Sequence, residues 1–320
     1  MPTVNRLRRG LASLGCLALL MASGCSAFRD DSSSAAEAPV STTSTIPRPS
    51  TELLSAGDTP RRTLRFDLGS EEVTLALTGD IDVTQSGSGE PLLVDLPPIR
   101  QRIKVTTTPL GGGTTKIDVV FEALSAAPTP TLSASERKTL DNMLATLVGL
   151  RGGGRIDDRG RITAMHYTPP DDLNDDLASV VEEMTAQISS LVAPLPAEPV
   201  GLGARWRSTT NVEVGGAAVP ISTVFEITSI DGDTISYTST SEGRARNLAL
   251  KAPRTDPDTR LHLVDLRSTG RGSGTFSLTS LRSTSDTRSE TTQRTEATGP
   301  DGTASADQRT VAHVTTGPVR

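Results

Sequence analysis

Side chains able to do chemistry are few in this chain, and they stand apart. It holds two cysteines, Cys16 and Cys25, and three histidines, His166, His262 and His313. Each histidine sits alone on a segment of strand character, with no second ligand at the spacing zinc requires, so all three read as ordinary strand residues. Asp231, Asp233 and Glu242 fall at the first, third and twelfth positions of a calcium loop. The fifth position holds Ile235, however, and the sixth, where a sharp glycine turn is needed, holds Ser236. A tight hairpin at Asp231-Gly232 accounts for the same letters. Asp171, Asp172, Asp175 and Asp176 could attract a cation or a basic partner, but at the start of a helical segment they read as helix-dipole electrostatics. Nucleophile elbow, phosphate loop and dinucleotide fingerprint are all missing, and the glycine runs at 111–113 and 152–154 read as turns. A glycan-cleaving enzyme needs a carboxylate pair in a cleft, usually with aromatic floors, and aromatics make up only 2% of the chain. The expectation is a non-enzyme with no cofactor and no metal.

One stretch carries a definite chemical instruction. Arg6, Arg8 and Arg9 form a positive n-region, residues 11–21 a short apolar run, and Ala22-Ser23-Gly24 puts small residues before Cys25. That is the layout of a secretory signal, with an apolar run too short for a bilayer core about 30 Å thick. Ending at Ala-Ser-Gly-Cys, it resembles the lipobox of bacterial lipoproteins, although the usual leucine three residues before the cysteine is here Ala22. Cys16 lacks the small-residue approach. The resemblance implies that residues 1–24 are a signal peptide and that Cys25 receives a diacylglycerol. Membrane lipid is then the partner, and the protein sits on the cell membrane facing outside the cytoplasm.

Loss of Arg6, Arg8 and Arg9 with the leader takes the formal charge from −6 to −9. A net acidic chain poor in aromatics lacks both the cationic clusters and the stacking platforms that nucleic acids need. Lys104, Lys116, Lys138 and Lys251 are its only lysines, the remaining positive charges being arginine. That bias suggests a high-GC genome and, with the lipobox, an actinobacterial envelope protein.

Residues 25–60 are rich in Ser, Thr, Ala and Pro and read as a flexible tether; residues 61–320 read as one domain. Val73, Leu75, Leu77, Ile81 and Val83 share one parity, as do Ile103 and Val105, then Ile117, Val119 and Phe121, each set marking a half-buried strand. Ser133 and Glu136 form a capping box, and Leu140, Met143, Leu144 and Leu147 follow at helical spacing, so 133–149 reads as an amphipathic helix. A hairpin is expected around Asp158-Arg159-Gly160. A second helix is expected after Pro169-Pro170, with Leu173, Leu177, Val180, Val181, Met184, Ile188 and Leu191 as its stripe. Strands return from Trp206 onward, and residues 283–298, polar on both faces, read as an edge hairpin.

Strands, helix, hairpin, helix, strands is not the alternation of a parallel sheet. The expected fold is α+β: a curved, half-barrel-like antiparallel sheet with two amphipathic helices packed on one face. In outline this is similar to the lipid-handling lipoproteins of the Lol carrier and mycobacterial lipid-carrier kinds. Pro199-Val-Gly-Leu-Gly-Ala-Arg-Trp206, following a proline-rich helix end, looks like a segment of actinobacterial envelope lipoproteins. Leu140, Met143, Leu144 and Leu147 of the first helix and Val181, Met184 and Ile188 of the second would then line a space for a lipid or another apolar ligand. The competing expectation is a module that docks another envelope protein through a sheet edge or the acidic helix face.

Overall fold

The computed structural model describes residues 49–87, 92–95, 97–129, 132–168, 192–251, 259–300 and 302–319. In chain order these form β1 (Ser50–Ser55), β2 (Glu71–Gly87), β3 (Leu92–Asp95), β4 (Ile99–Gly111), β5 (Thr114–Ala126), α1 (Ala134–Thr146), β6 (Arg151–Asp157) and β7 (Ile162–Thr168). After them come β8 (Arg205–Val214), β9 (Ala217–Asp231), β10 (Thr234–Leu250), β11 (Arg260–Ser277), β12 (Thr284–Gly299) and β13 (Gly302–Pro318).

All the strands join one antiparallel sheet of 13, ordered β1-β8-β9-β10-β11-β12-β13-β2-β4-β5-β6-β7, with β3 beside β2. Two meanders are therefore joined where the C-terminal strand meets β2, with Thr310 opposite Val83. Alternation drives the pairing. Val73, Leu75, Leu77, Ile81 and Val83 of β2 are all buried, whereas Glu72, Ala76, Asp80 and Asp82 between them are exposed.

A short extended segment forces this sheet to curl. The amide of Phe66 donates to Asp158 O and that of Asp67 to Leu278 O, each at 2.8 Å. Neighbouring amides on one chain hold those two acceptors within about 10 Å of each other. Asp158 lies in the β6–β7 turn and Leu278 just beyond β11, six places away in the sheet order. In a flat sheet, with strands about 4.8 Å apart, the gap would be roughly 29 Å. The sheet must therefore roll until both positions touch residues 62–68, where Arg65 also pairs with Asp158 at 2.7 Å.

That strap is core as well as clasp. Leu64, Phe66 and Leu68 are 0%, 6% and 3% exposed, while Arg65 and Asp67 between them face water. Residues 192–204 enter the same space. Val192, Leu195, Val200 and Ala204 are buried there, Leu195 N donates to Arg159 O, and Arg62 and Val200 exchange backbone hydrogen bonds. Gly160 in the β6–β7 turn has φ 76° and lies so close beneath the strap that a β-carbon would stand 2.8 Å from both the Phe66 ring and Val192. Leu147, Leu150, Phe121, Trp206, Ile227, Ile235 and Phe276 complete this main core. A second cluster, around Val219, Leu261, Leu263 and Leu266, sits towards the other end of β9–β12.

This nearly all-β body corrects the expected α+β architecture with two helices on one sheet face. Among the described residues α1 is the one helix; it packs beside β5 and buries only Leu144. Its capping box forms as read, Ser133 N donating to Glu136 Oε2 at 2.9 Å and Glu136 N to Ser133 Oγ at 3.3 Å. Local chemistry thus set the helix start. Polar residues cover most of its circumference, though, leaving too narrow a stripe to roof a sheet, and the strap and residues 192–204 fill the space instead. Residues 171–191, the second expected helix, lie outside the described residues.

Three further readings change. Within the stretch expected to be tether, Ser50–Ser55 forms β1 and pairs with β8. The glycines at 152–154 are mid-strand, held extended by ladders to β5 and β7 on either side. Finally, β12 is an interior strand between β11 and β13, with its ladder complete on both sides.

Phe66→Ala should cost about 3–5 kcal/mol, as expected for emptying a packed aromatic site. Met143→Ala, on a helix residue 39% exposed, should change stability by less than about 0.5 kcal/mol. Urea unfolding of both variants checks the contrast, and a larger loss at Met143 would refute the assignment of the strap as core.

Candidate functional site

Of the residues expected to line an apolar site, the four described ones do not form one wall. Leu144 and Leu147 are 5% and 0% exposed, Leu140 is half-buried, and Met143 is turned out to water. Leu147 belongs to the main core beside Phe121 and Leu150, and the chain there is fixed by hydrogen bonds between Phe121 and both Gly149 and Leu150. Cys25, Val181, Met184 and Ile188 lie outside the described residues, as do the acids at 171–176.

The histidines fall on separate strands, as read. His166 is exposed on β7 and His262 half-buried on β11, while His313 on β13 meets Asp286 of β12 at 3.1 Å. Among the described residues no group of three His, Cys, Asp or Glu stands together as a metal site. Asp231 and Asp233 flank a hairpin turn with Gly232 at φ 54°, and Glu242 is far along β10, so the calcium-loop spacing is a hairpin.

What the fold does gather is its scarce aromatics. The chain has five Phe, two Tyr and one Trp, and five of these eight rings form one continuous series. Trp206 stacks on Phe225 at 5.3 Å; Tyr237 follows at 5.7 Å, Phe276 at 5.8 Å and the strap's Phe66 at 5.8 Å. The series crosses β8, β9, β10 and β11 on the face that carries both cores. Trp206 is wholly buried and its Nε1 donates to Pro194 O at 2.7 Å, which satisfies its one polar atom.

Beyond Tyr237 the same face changes character. Its inward side chains become Ser239 and Ser241 on β10, Ser268, Gly270, Gly272 and Gly274 on β11, and Ser285, Thr287, Ser289, Thr291 and Gln293 on β12. Apart from Gly270, which is buried, all of these are half-buried. The register sets them in rows: Tyr237–Gly274–Ser285, Ser239–Gly272–Thr287 and Ser241–Gly270–Ser289. Hydroxyls from the outer two strands lean over the glycines of the middle one. A β-carbon at Gly272 would stand 2.8 Å from Ser239 Oγ and 2.9 Å from Thr287 Oγ1, and one at Gly274 would stand 2.9 Å from Tyr237 OH. The signal was present in the sequence as hydroxyl or glycine alternating with charge, but nothing local said that these three strands were neighbours.

The opposite face of the same strands and of β13 is ionic. Arg267, Arg271, Asp286, Arg288, Glu290, Arg294, Asp307 and Arg309 are exposed there. Arg309 bonds Glu290 at 2.7 Å and Arg246 bonds Asp265 at 2.8 Å. The Arg309 guanidinium holds the Glu290 carboxyl below its ordinary value, first through that hydrogen bond and then through its charge. This is a face built for water, whereas strands that face lipid present an apolar band about 25 Å tall. Among the described residues no helix is long and apolar enough to cross a membrane.

Burial raises the Tyr237 phenol above its ordinary value. A raised pKa in the fold means that the folded state holds its proton more tightly, so this stabilisation is complete at neutral pH and drains away as pH climbs past about 10. Wild type should therefore lose stability more steeply above that pH than Tyr237→Phe. Denaturant midpoints compared across the alkaline range check this, and identical slopes would contradict the buried phenol.

No family model matches the chain, and no curated protein does. Among solved structures it is similar to the outer membrane protein OprG from Pseudomonas aeruginosa, at 8% identity over 79% of this chain and 98% of that one, with a TM-score of 0.22. OmpF from Salmonella typhi, solved in complex with daunomycin, matches at 9% identity over 77% and 98% with a TM-score of 0.25. A loop-deletion mutant of OmpT from Vibrio cholerae matches at 6% over 76% and 99% with a TM-score of 0.21. At these scores the likeness carries neither fold nor function to this chain.

Proposed function

We propose that this chain is a lipid-anchored module of a bacterial cell envelope, held outside the cytoplasm by diacylglycerol on Cys25, and that it works by binding rather than catalysis. The order of its parts carries the reading: a positive n-region, a short apolar run, Ala22-Ser23-Gly24-Cys25, a Ser/Thr/Ala/Pro stretch, and then a sheet whose first strand begins at Ser50. Two acyl chains on one cysteine meet the need for more than one, each buried methylene contributing about 0.8 kcal/mol. The ionic exposed face supports a body standing in water beside the bilayer. Pro199-Val-Gly-Leu-Gly-Ala-Arg-Trp206, the segment that resembles actinobacterial envelope lipoproteins, serves the core through Val200, Ala204 and Trp206.

Binding is favoured over catalysis because the titratable groups that meet do so as simple ion pairs at turns, on the helix or across strands on the wet face, such as Arg65 with Asp158, Glu290 with Arg309 and His313 with Asp286. An apolar ligand under α1 would have to displace the closed-in Leu144 and Leu147, which moves the binding surface from the helix to the sheet. A second reading, docking of another envelope protein, is favoured by the ends of the sheet. Among the described strands β1 pairs only with β8 and β7 only with β6. Each leaves one backbone edge to which a partner strand could add.

Cys25→Ala should shift the protein from the membrane fraction to the soluble extracytoplasmic fraction and abolish incorporation of labelled palmitate. Membrane retention of the variant, or an unlabelled wild type, would overturn the anchor.

A further inference from the structure

We propose that the outward face of β4 binds a linear polyanion carrying one phosphodiester per repeat, along a file of three cations, Arg100, Arg102 and Lys104. The proposal deepens the binding role assigned above and rests on it for a setting outside the cytoplasm.

The file follows from the alternation of β4. Ile103 and Val105 are 0% and 1% exposed on the core side, so the three cations share the other face, successive ones about 6.6 Å apart along the strand. Lys104 meets Glu72 at 3.3 Å. Arg100 and Arg102 are exposed, and among the described residues neither has an ion pair or a side-chain hydrogen bond. Like charges this close repel one another, and the fold supplies the two arginines with no carboxylate to relieve it.

The register shows why. Thr78 and Ser125 stand beside Arg100, Ala76 and Ala123 beside Arg102, and Thr74 and Val120 beside Lys104. One strand further out, β13 adds Thr315 and Gly317 to the first two rows, and β6 adds a fourth cation, Arg151, to the third. All the immediate neighbours are short and neutral, which leaves the file open along its length. The nearest unengaged acids are Asp80, one row beyond Arg100 on β2, and Glu122, at the β5 bulge next to Arg102. They flank the file without interrupting it. A single chain can run between them, whereas an anionic bilayer, being a charged plane, would press against both. Nucleic acid is disfavoured as well, because these rows hold no aromatic ring on which a base could stack.

The arginines outside β10–β12 make the contrast. There Arg244 stands opposite Arg267 and Arg271 opposite Arg288, but the row between them carries Glu242 and Glu290. An anion on that surface would meet carboxylates at every second step, so it is β4 whose charges fit a polyanion.

The test uses the full mature chain carrying Cys25→Ala, titrated with synthetic poly(glycerol phosphate) at several salt concentrations. Saturable binding is expected, with log K falling by about 2–3 for each tenfold rise in salt, the counterion release of three phosphate contacts. Combining Arg100→Gln, Arg102→Gln and Lys104→Gln should weaken binding at least tenfold and flatten that slope, while the urea midpoint stays near that of the parent because these side chains lie on the wet face. Arg271→Gln with Arg288→Gln should leave affinity within twofold. No saturable binding of the polymer overturns the proposal, as do equal losses in the two variants. So does tighter binding, per phosphate, to vesicles of equal parts phosphatidylglycerol and phosphatidylcholine, or to oligothymidylate. Fractionation of the wild-type chain reads the anchor separately, so a protein that binds the polymer but is not lipidated would overturn the address and leave this site standing.

Discussion

Two neighbouring backbone amides hold the architecture together. Phe66 and Asp67 donate in opposite directions to the β6–β7 turn and to the chain beyond β11, and no flat sheet can bring those acceptors so near. Curl, core position and sheltered face all follow from that. Once the sheet is rolled, Leu64, Phe66 and Leu68 have an enclosed space to enter, and apolar surface from both flanks is removed from water in one place. The proline-rich stretch after residue 191 serves the same end, with Leu195 and Val200 buried and both Pro194 and Pro196 carbonyls accepting side-chain hydrogen bonds from Trp206 and Arg159. Proline suits that path because an extended segment outside any sheet has no ladder to satisfy its amides, and proline carries no N–H to satisfy.

The distribution of polarity is the second organising fact. Apolar side chains are concentrated in two clusters along the sheet, and the stretch of β10–β12 between them shows hydroxyls on one face and charges on the other. There β12 is held by its ladders alone, fifteen residues deep against β13, with no apolar face to fix its register. Its neighbours supply that: Ala297 at one end enters the second cluster, and the turn at 278–283 is tied down by Glu71, which accepts from Leu281 N at 2.7 Å and Ser280 Oγ at 2.9 Å. A strand that reads as an edge from its own letters can therefore sit mid-sheet, provided its ends are anchored.

Much of this was legible residue by residue. Asp231-Gly232 announced its turn, Ser133 and Glu136 their cap, Val73 through Val83 one continuous strand face, and Trp206 a core anchor. The misreadings share a cause. Local preference favours a turn for the glycines at 152–154 and an edge for the polar letters of 283–298, and neighbouring strands override it by supplying hydrogen bonds on both sides. The spacing of Leu140, Met143, Leu144 and Leu147 suggests a broad apolar stripe on the helix, although only the last two are buried. Leu64, Phe66 and Leu68 alternate as a strand would, yet their backbone joins no sheet, and sequence patterning has no sign for an extended segment that is core without being strand.

By itself the sequence determined the quantities that depend on a few adjacent residues: where strands alternate, where hairpins turn, how a helix begins. Those follow from sterics and hydrogen bonds within a turn or two of the chain. Only the tertiary structure decided which strand lies beside which. The union of β2 with β13, the roll enforced at Phe66 and Asp67, and the meeting of Ser239, Gly272 and Thr287 in one row each join residues far apart along the chain. A period of two tells a strand which face is buried and leaves its neighbour unspecified; the shared core selects the neighbour.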